Sequence, residues 1–111
     1  MMRSVQGLAL VLLLAQPAAA QGQTPPGDPS AGRQLAETWC ANCHLTGPDQ
    51  RSATSNGAPT FAAIAKMPAM TPAALGAFLR APHDRMPDLH LSGTNIDDVV
   101  AYIATLRTVS R

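Results

Sequence analysis

The stretch Cys40-Ala41-Asn42-Cys43-His44 constrains this chain more than any other. It holds both cysteines of the sequence, three positions apart, with an imidazole directly after the second. A disulfide between such close neighbours closes too short a loop to restrain the unfolded chain much. Three chemistries use a turn of this kind: a redox-active dithiol, part of a zinc site, or the covalent attachment of a haem. The surrounding sequence has to decide among them.

The chain opens on a single positive charge at Arg3, continues through the apolar run Gly7 to Ala15, and reaches the small-residue pattern Ala18-Ala19-Ala20. That run is shorter than the roughly 20 residues a membrane-spanning helix needs. A charged start, a short apolar centre and an Ala-x-Ala end make a secretory signal peptide over residues 1–20, cut after Ala20. The exported chain is then expected to be periplasmic, with no stable membrane span. A flexible leader, residues 21–27, precedes one domain at 28–111.

Beyond Arg3 the chain carries seven basic and seven acidic residues, and Lys66 is its single lysine. No run of like charge appears, so nothing supports the counterion release that drives nucleic-acid binding. The domain is small and poor in aromatic residues, at 4%. Small domains bury a modest share of their surface and gain from a covalent or cofactor staple.

Local signals are helical throughout. Asp28-Pro29 pairs a capping carboxylate with a proline suited to the first helical position, and a helix is expected over 29–41. Leu35, Ala36, Trp39 and Cys40 fall on or near one face of it. Residues 45–59 read as loop, rich in Gly, Pro, Ser and Asn. A short helix over 60–66 follows, ended by Met67-Pro68. Thr71-Pro72 opens a third helix to Arg80, with Leu75, Phe78 and Leu79 as its apolar stripe. Residues 81–91 form a second loop. Ser92 caps a last helix in which Ile96, Val99, Val100 and Ile103 recur at helical spacing. The fold class is all-α, about four helices with two long loops.

This architecture weighs on the choice of chemistry. Cys40 and Cys43 stand at the C-terminal end of a helix, where the dipole disfavours a thiolate, and no strand provides the βαβ setting of a dithiol oxidoreductase. A structural zinc site needs four ligands. Cys40, Cys43 and His44 would need His83 or His90 as a fourth, and His44 adjoins Cys43 without a spacer. Covalent haem uses all three residues at once: Cys40 and Cys43 share a helical face and form thioethers to the two vinyl groups, and His44 ligates the iron. Export agrees, since haem c is attached outside the cytoplasm. For the sixth ligand, Met86 sits in a helix-free loop before Pro87, where a fixed backbone can aim a thioether. Met67 and Met70 read as packing residues, and a second histidine, His83 or His90, is the alternative ligand.

The chain resembles the small bacterial class I monohaem c-type cytochromes. The resemblance rests on Gly32, Cys40-Ala41-Asn42-Cys43-His44, Gly57-Ala58-Pro59, Met86-Pro87 and Ala101-Tyr102, and covers nearly all of the exported chain. It implies a cytochrome c fold wrapped around one haem c held through Cys40 and Cys43, with iron bound by His44 and Met86. It also implies a close crossing of the first and last helices, with Gly32 and Tyr102 in the matching positions. The Pro59 carbonyl would accept the N–H of His44. Two departures stand out. The lysine ring of mitochondrial-type members is reduced to Lys66, and Trp39 lies beside Cys40, where a helix-packing role is expected. The implied function is single-electron transfer without catalytic residues, hence not an enzyme. Redox proteins are the expected partners. The alternative is a haem c subunit of a periplasmic dehydrogenase complex.

Overall fold

Helix α1 begins where its sequence signals place it. In the computed structural model, which describes residues 24–53, 57–81 and 85–108, α1 spans Pro29–Leu35. The Asp28 carboxylate accepts from the backbone N–H of Ser30 at 2.8 Å and of Ala31 at 3.4 Å. The helix runs on without a break into a π-helical turn, Ala36–Cys40, closed by the Ala41 N–H donating to the Ala36 carbonyl. Helix α2 is Phe61–Lys66, α3 is Pro72–Arg80 and α4 is Gly93–Thr105. Thr60, Thr71 and Ser92 cap them, each hydroxyl accepting the N–H three residues on. The described residues contain no strand, and none of their helices is long and apolar enough to cross a membrane. The expected signal peptide at 1–20 lies outside the described residues.

Helix α4 is the centre of the molecule. It packs against α1 most extensively, and against α3 and α2 as well. Contact on three sides explains why Ile96, Val99, Val100, Ala101, Tyr102 and Ile103 are all buried, where a surface helix would bury one stripe. Phe61, Ala65 and Leu75 close the core from α2 and α3, and Ala36 and Cys40 from the first helix.

The α1–α4 crossing depends on the absence of a side chain at Gly32. A Cβ there would overlap the carbonyl of Asp98 and lie 2.9 Å from the Val99 nitrogen. Two backbones therefore touch, as the resemblance implied. Tyr102, the expected aromatic partner, is buried and turns its hydroxyl to the loop after His44, donating to the Thr46 carbonyl at 2.6 Å. Buried Asp98 accepts the Asp28 N–H at 2.7 Å, tying the start of α1 to α4. At the other end, Arg107 donates through Nε to the Ala65 carbonyl at 2.8 Å. That bond satisfies an end carbonyl of α2 with a cation, a favourable pairing at a helix C-terminus.

Trp39 departs from its expected role. It is 57% exposed and does not fill the core. The π turn supplies the reason. A residue in an i→i+5 turn advances less about the axis than in an α turn, so Cys40 stays in line with buried Gly32 and Ala36 while Trp39 swings off that line. Met67, expected to pack, is 40% exposed on the protein surface, whereas Met70 packs against the core.

Candidate functional site

Cys40, Cys43 and His44 lie together on one turn that closes the first helix. The Cys40 carbonyl accepts from the Cys43 N–H at 3.1 Å and from the His44 N–H at 2.9 Å. Both thiols are free; Cys40 is buried and Cys43 exposed. Burial pushes the Cys40 thiol up to about 11. This is the opposite of the depressed value that makes a dithiol reactive at neutral pH.

The imidazole of His44 is held from two sides. Its Nδ1 lies 2.7 Å from the Pro59 carbonyl oxygen. A carbonyl can only accept, so Nδ1 carries the proton and the lone pair sits on Nε2. The ring also leans on Phe61 at the head of α2, with centroids 5.5 Å apart, and Phe61 meets Tyr102 at 6.4 Å. The Leu45 carbonyl accepts the Phe61 N–H at 2.9 Å, which ties the segment after His44 to α2.

The segment beyond His44 contains a residue that sequence reasoning missed. Gln50 donates through Nε2 to the carbonyls of Ala41 at 2.8 Å and His44 at 2.9 Å, with Ser52 at 3.1 Å. Its Oε1 accepts the Thr46 N–H at 2.8 Å and the Thr46 hydroxyl at 3.0 Å. Thr46 is only 2% exposed. Gly47-Pro48-Asp49-Gln50 is a turn signal, with proline at its second position, and the Gln50 N–H does bond back to the Gly47 carbonyl at 3.3 Å. That signal locates the turn. It does not reveal that the side chain at its end folds back over the cysteine turn.

Met86, the expected sixth ligand, is half-buried after α3, in a small cleft with Leu79, Leu89 and Leu91. His90 is exposed, has φ 51, and turns its ring toward Asp88 at 3.4 Å. His83 lies outside the described residues. Among the described residues no three His, Cys, Asp or Glu side chains gather to hold a metal ion. A cavity of about 740 Å³ lies elsewhere, between the leader at Thr24 to Gly27 and α4 at Ala101 and Ala104.

The donor set suits a covalently attached haem. Two unpaired thiols stand at i and i+3, followed by an imidazole whose proton is engaged on Nδ1 and whose Nε2 is left with its lone pair. A second carbonyl-bound nitrogen or a Cys40–Cys43 disulfide would have spoiled the fit.

Comparison with known proteins agrees with this chemistry. Residues 27–103 match the protein family described as cytochrome c oxidase, cbb3-type, subunit III. The chain is also 36% identical over 103 residues to cytochrome c-552 of Bradyrhizobium diazoefficiens, covering 93% of this chain and 95% of that protein. No solved structure matches.

Proposed function

Since this chain belongs to the cbb3-type subunit III family of c-type cytochromes, and is a small monohaem member of it, we propose that it is a periplasmic single-electron carrier with His44 and Met86 as axial ligands. The observation that carries this reading is the His44–Pro59 hydrogen bond of 2.7 Å, which leaves Nε2 as the ligating atom next to two free thiols. Bound haem c supplies a one-electron iron couple.

Each residue then has a definite task. Cys40 and Cys43 anchor the ring by thioethers, so the cofactor cannot dissociate. Pro59 fixes the tautomer of His44 and, by engaging its proton, makes Nε2 more basic toward the metal. The thioether of Met86 favours the ferrous state relative to a second imidazole and so raises the reduction potential. Burial of the haem would add to that bias, because the oxidised site would carry one more positive charge into a medium of low polarity. If His44 and Met86 both held the iron, the protein itself would supply the two ligands and a substrate would not need to bind there. The close α1–α4 packing would limit the change of geometry between oxidation states. The evenly balanced charge suits redox protein partners that do not rely on a lysine ring.

Cytochrome c-552 matches over nearly its whole length, which supports the carrier. The family description names an oxidase subunit, and this favours a second reading as the haem c subunit of a periplasmic oxidoreductase such as a dehydrogenase. Stable co-purification with a catalytic subunit would establish it in place of the carrier.

The ligand assignment is tested on the purified holoprotein. A c-type haemochrome is expected after pyridine treatment. Met86→Ala should abolish the ferric methionine–iron charge-transfer band, and Met67→Ala should leave it. The reverse pattern would transfer the sixth position to Met67.

A further inference from the structure

We propose that Gln50 is a positioning residue for His44, holding the peptide that carries the imidazole while Pro59 holds the ring. This rests on His44 being the iron ligand.

The orientation of the Gln50 amide is dictated by its neighbours. The Thr46 N–H can only donate, so Oε1 must face it; the Ala41 and His44 carbonyls can only accept, so Nε2 must face them. The side chain thus reaches both Ala41, between the cysteines, and His44, at the end of the turn. Three consecutive carbonyls are tied to three different groups. That of His44 goes to Gln50, that of Leu45 to the Phe61 N–H and that of Thr46 to the Tyr102 hydroxyl. Of these, the Gln50 bond alone acts on the residue bearing the imidazole.

A ring bonded at a single nitrogen and leaning on one face against Phe61 can still swing about that hydrogen bond. Fixing the backbone at the other end of the side chain removes this freedom. Without Gln50 the Pro59 contact persists, but the 41–44 turn loses the two donors that bridge it. The expected consequence is a rotated or mobile imidazole plane, which is a change in ligand orientation and not only in stability.

The haem-methyl hyperfine shifts of the ferric holoprotein read that orientation directly, so the test compares them, with the reduction potential, in wild type, Gln50→Ala, Gln50→Glu and Asp49→Ala. Glutamate keeps the side-chain length and an acceptor for Thr46, yet it sets a carboxylate oxygen against the Ala41 and His44 carbonyls. Both Gln50 variants should move the methyl pattern and the potential beyond the scatter between wild type and Asp49→Ala, with Gln50→Glu no milder than Gln50→Ala. If Gln50→Ala does not load haem, Gln50→Met, of similar length, without a donor and with only a weak acceptor, replaces it. Variants that lower the thermal midpoint while leaving the methyl pattern unchanged would reduce Gln50 to a structural role and overturn the proposal. A His44→Ala protein that keeps the wild-type pattern would instead remove the ligand assignment, and this proposal with it.

Discussion

Replacing Gly32 with alanine should be among the most damaging single changes of one methyl group in this protein. In a free helix the change would help, since alanine is favoured over glycine by about 1 kcal/mol. Here the new Cβ meets the carbonyl of Asp98 and the nitrogen of Val99, all backbone atoms of buried α4. No rotamer change can clear them, so α1 must lift away from its principal packing partner. Overpacking of this kind costs about 1–3 kcal/mol and occasionally more. Lifting α1 also loosens Ala36 against the core and lengthens the Asp28–Asp98 bond of 2.7 Å, for a loss of about 1 kcal/mol. Against the propensity gain, a net destabilisation of about 1–3 kcal/mol follows. In a domain of this size that lowers the thermal midpoint by about 4–24 °C. The assay is far-UV circular dichroism melting of the ferric holoprotein. Gly93→Ala is the matched control: Gly93 opens α4, and a Cβ there meets nothing within 4 Å. That variant should be neutral or gain about 0.4–1 kcal/mol. A Gly32→Ala protein as stable as wild type, or a Gly93→Ala protein equally damaged, would refute the reasoning.

Other perturbations have defined outcomes. Tyr102→Phe leaves the buried Thr46 carbonyl without its 2.6 Å partner and should cost about 1–3 kcal/mol in urea unfolding. Burial raises the Tyr102 phenol above its ordinary value. The folded state therefore favours the neutral phenol: its contribution is complete below the unfolded value of about 10 and is lost as pH rises through the higher folded value. Tyr102→Phe should flatten that alkaline decline, and an unchanged decline would assign it to other groups. Asp28→Ala removes the acceptor of the Ser30 and Ala31 N–H groups and should cost about 0.5–2 kcal/mol, with Asp28→Ser recovering most of it. Equal stability of the alanine and serine variants would show that the cap contributes nothing.

Much of this molecule is legible in local sequence because the interactions concerned are local. Asp28, Thr60, Thr71 and Ser92 each announce a helix start, and each cap is made within three residues of the one that makes it. The adjacency of Cys40, Cys43 and His44 likewise dictates that they share a turn, whatever surrounds them. Trp39 falls on the packed face only at an α-helical period; the π turn Ala36–Cys40 turns it outward, and that widening leaves no mark in composition.

What only the tertiary structure decided involves partners far apart along the chain. Gly32 carries no sign in its neighbours that Asp98 will lie against it; the contact exists because α1 and α4 meet only in the folded state. Gln50 looks like any polar loop residue until the loop folds back over the cysteine turn and gives its amide the carbonyls of Ala41, His44 and Ser52 and the N–H and hydroxyl of Thr46. The resemblance places Tyr102 at the crossing of the first and last helices, but only the fold brings its hydroxyl to the Thr46 carbonyl. The sequence by itself determined the chemistry of the attachment turn, since covalent neighbours need no fold to be neighbours. The precision with which His44 is held was decided by the fold, through hydrogen bonds that close only when Pro59 and Gln50 are brought to it.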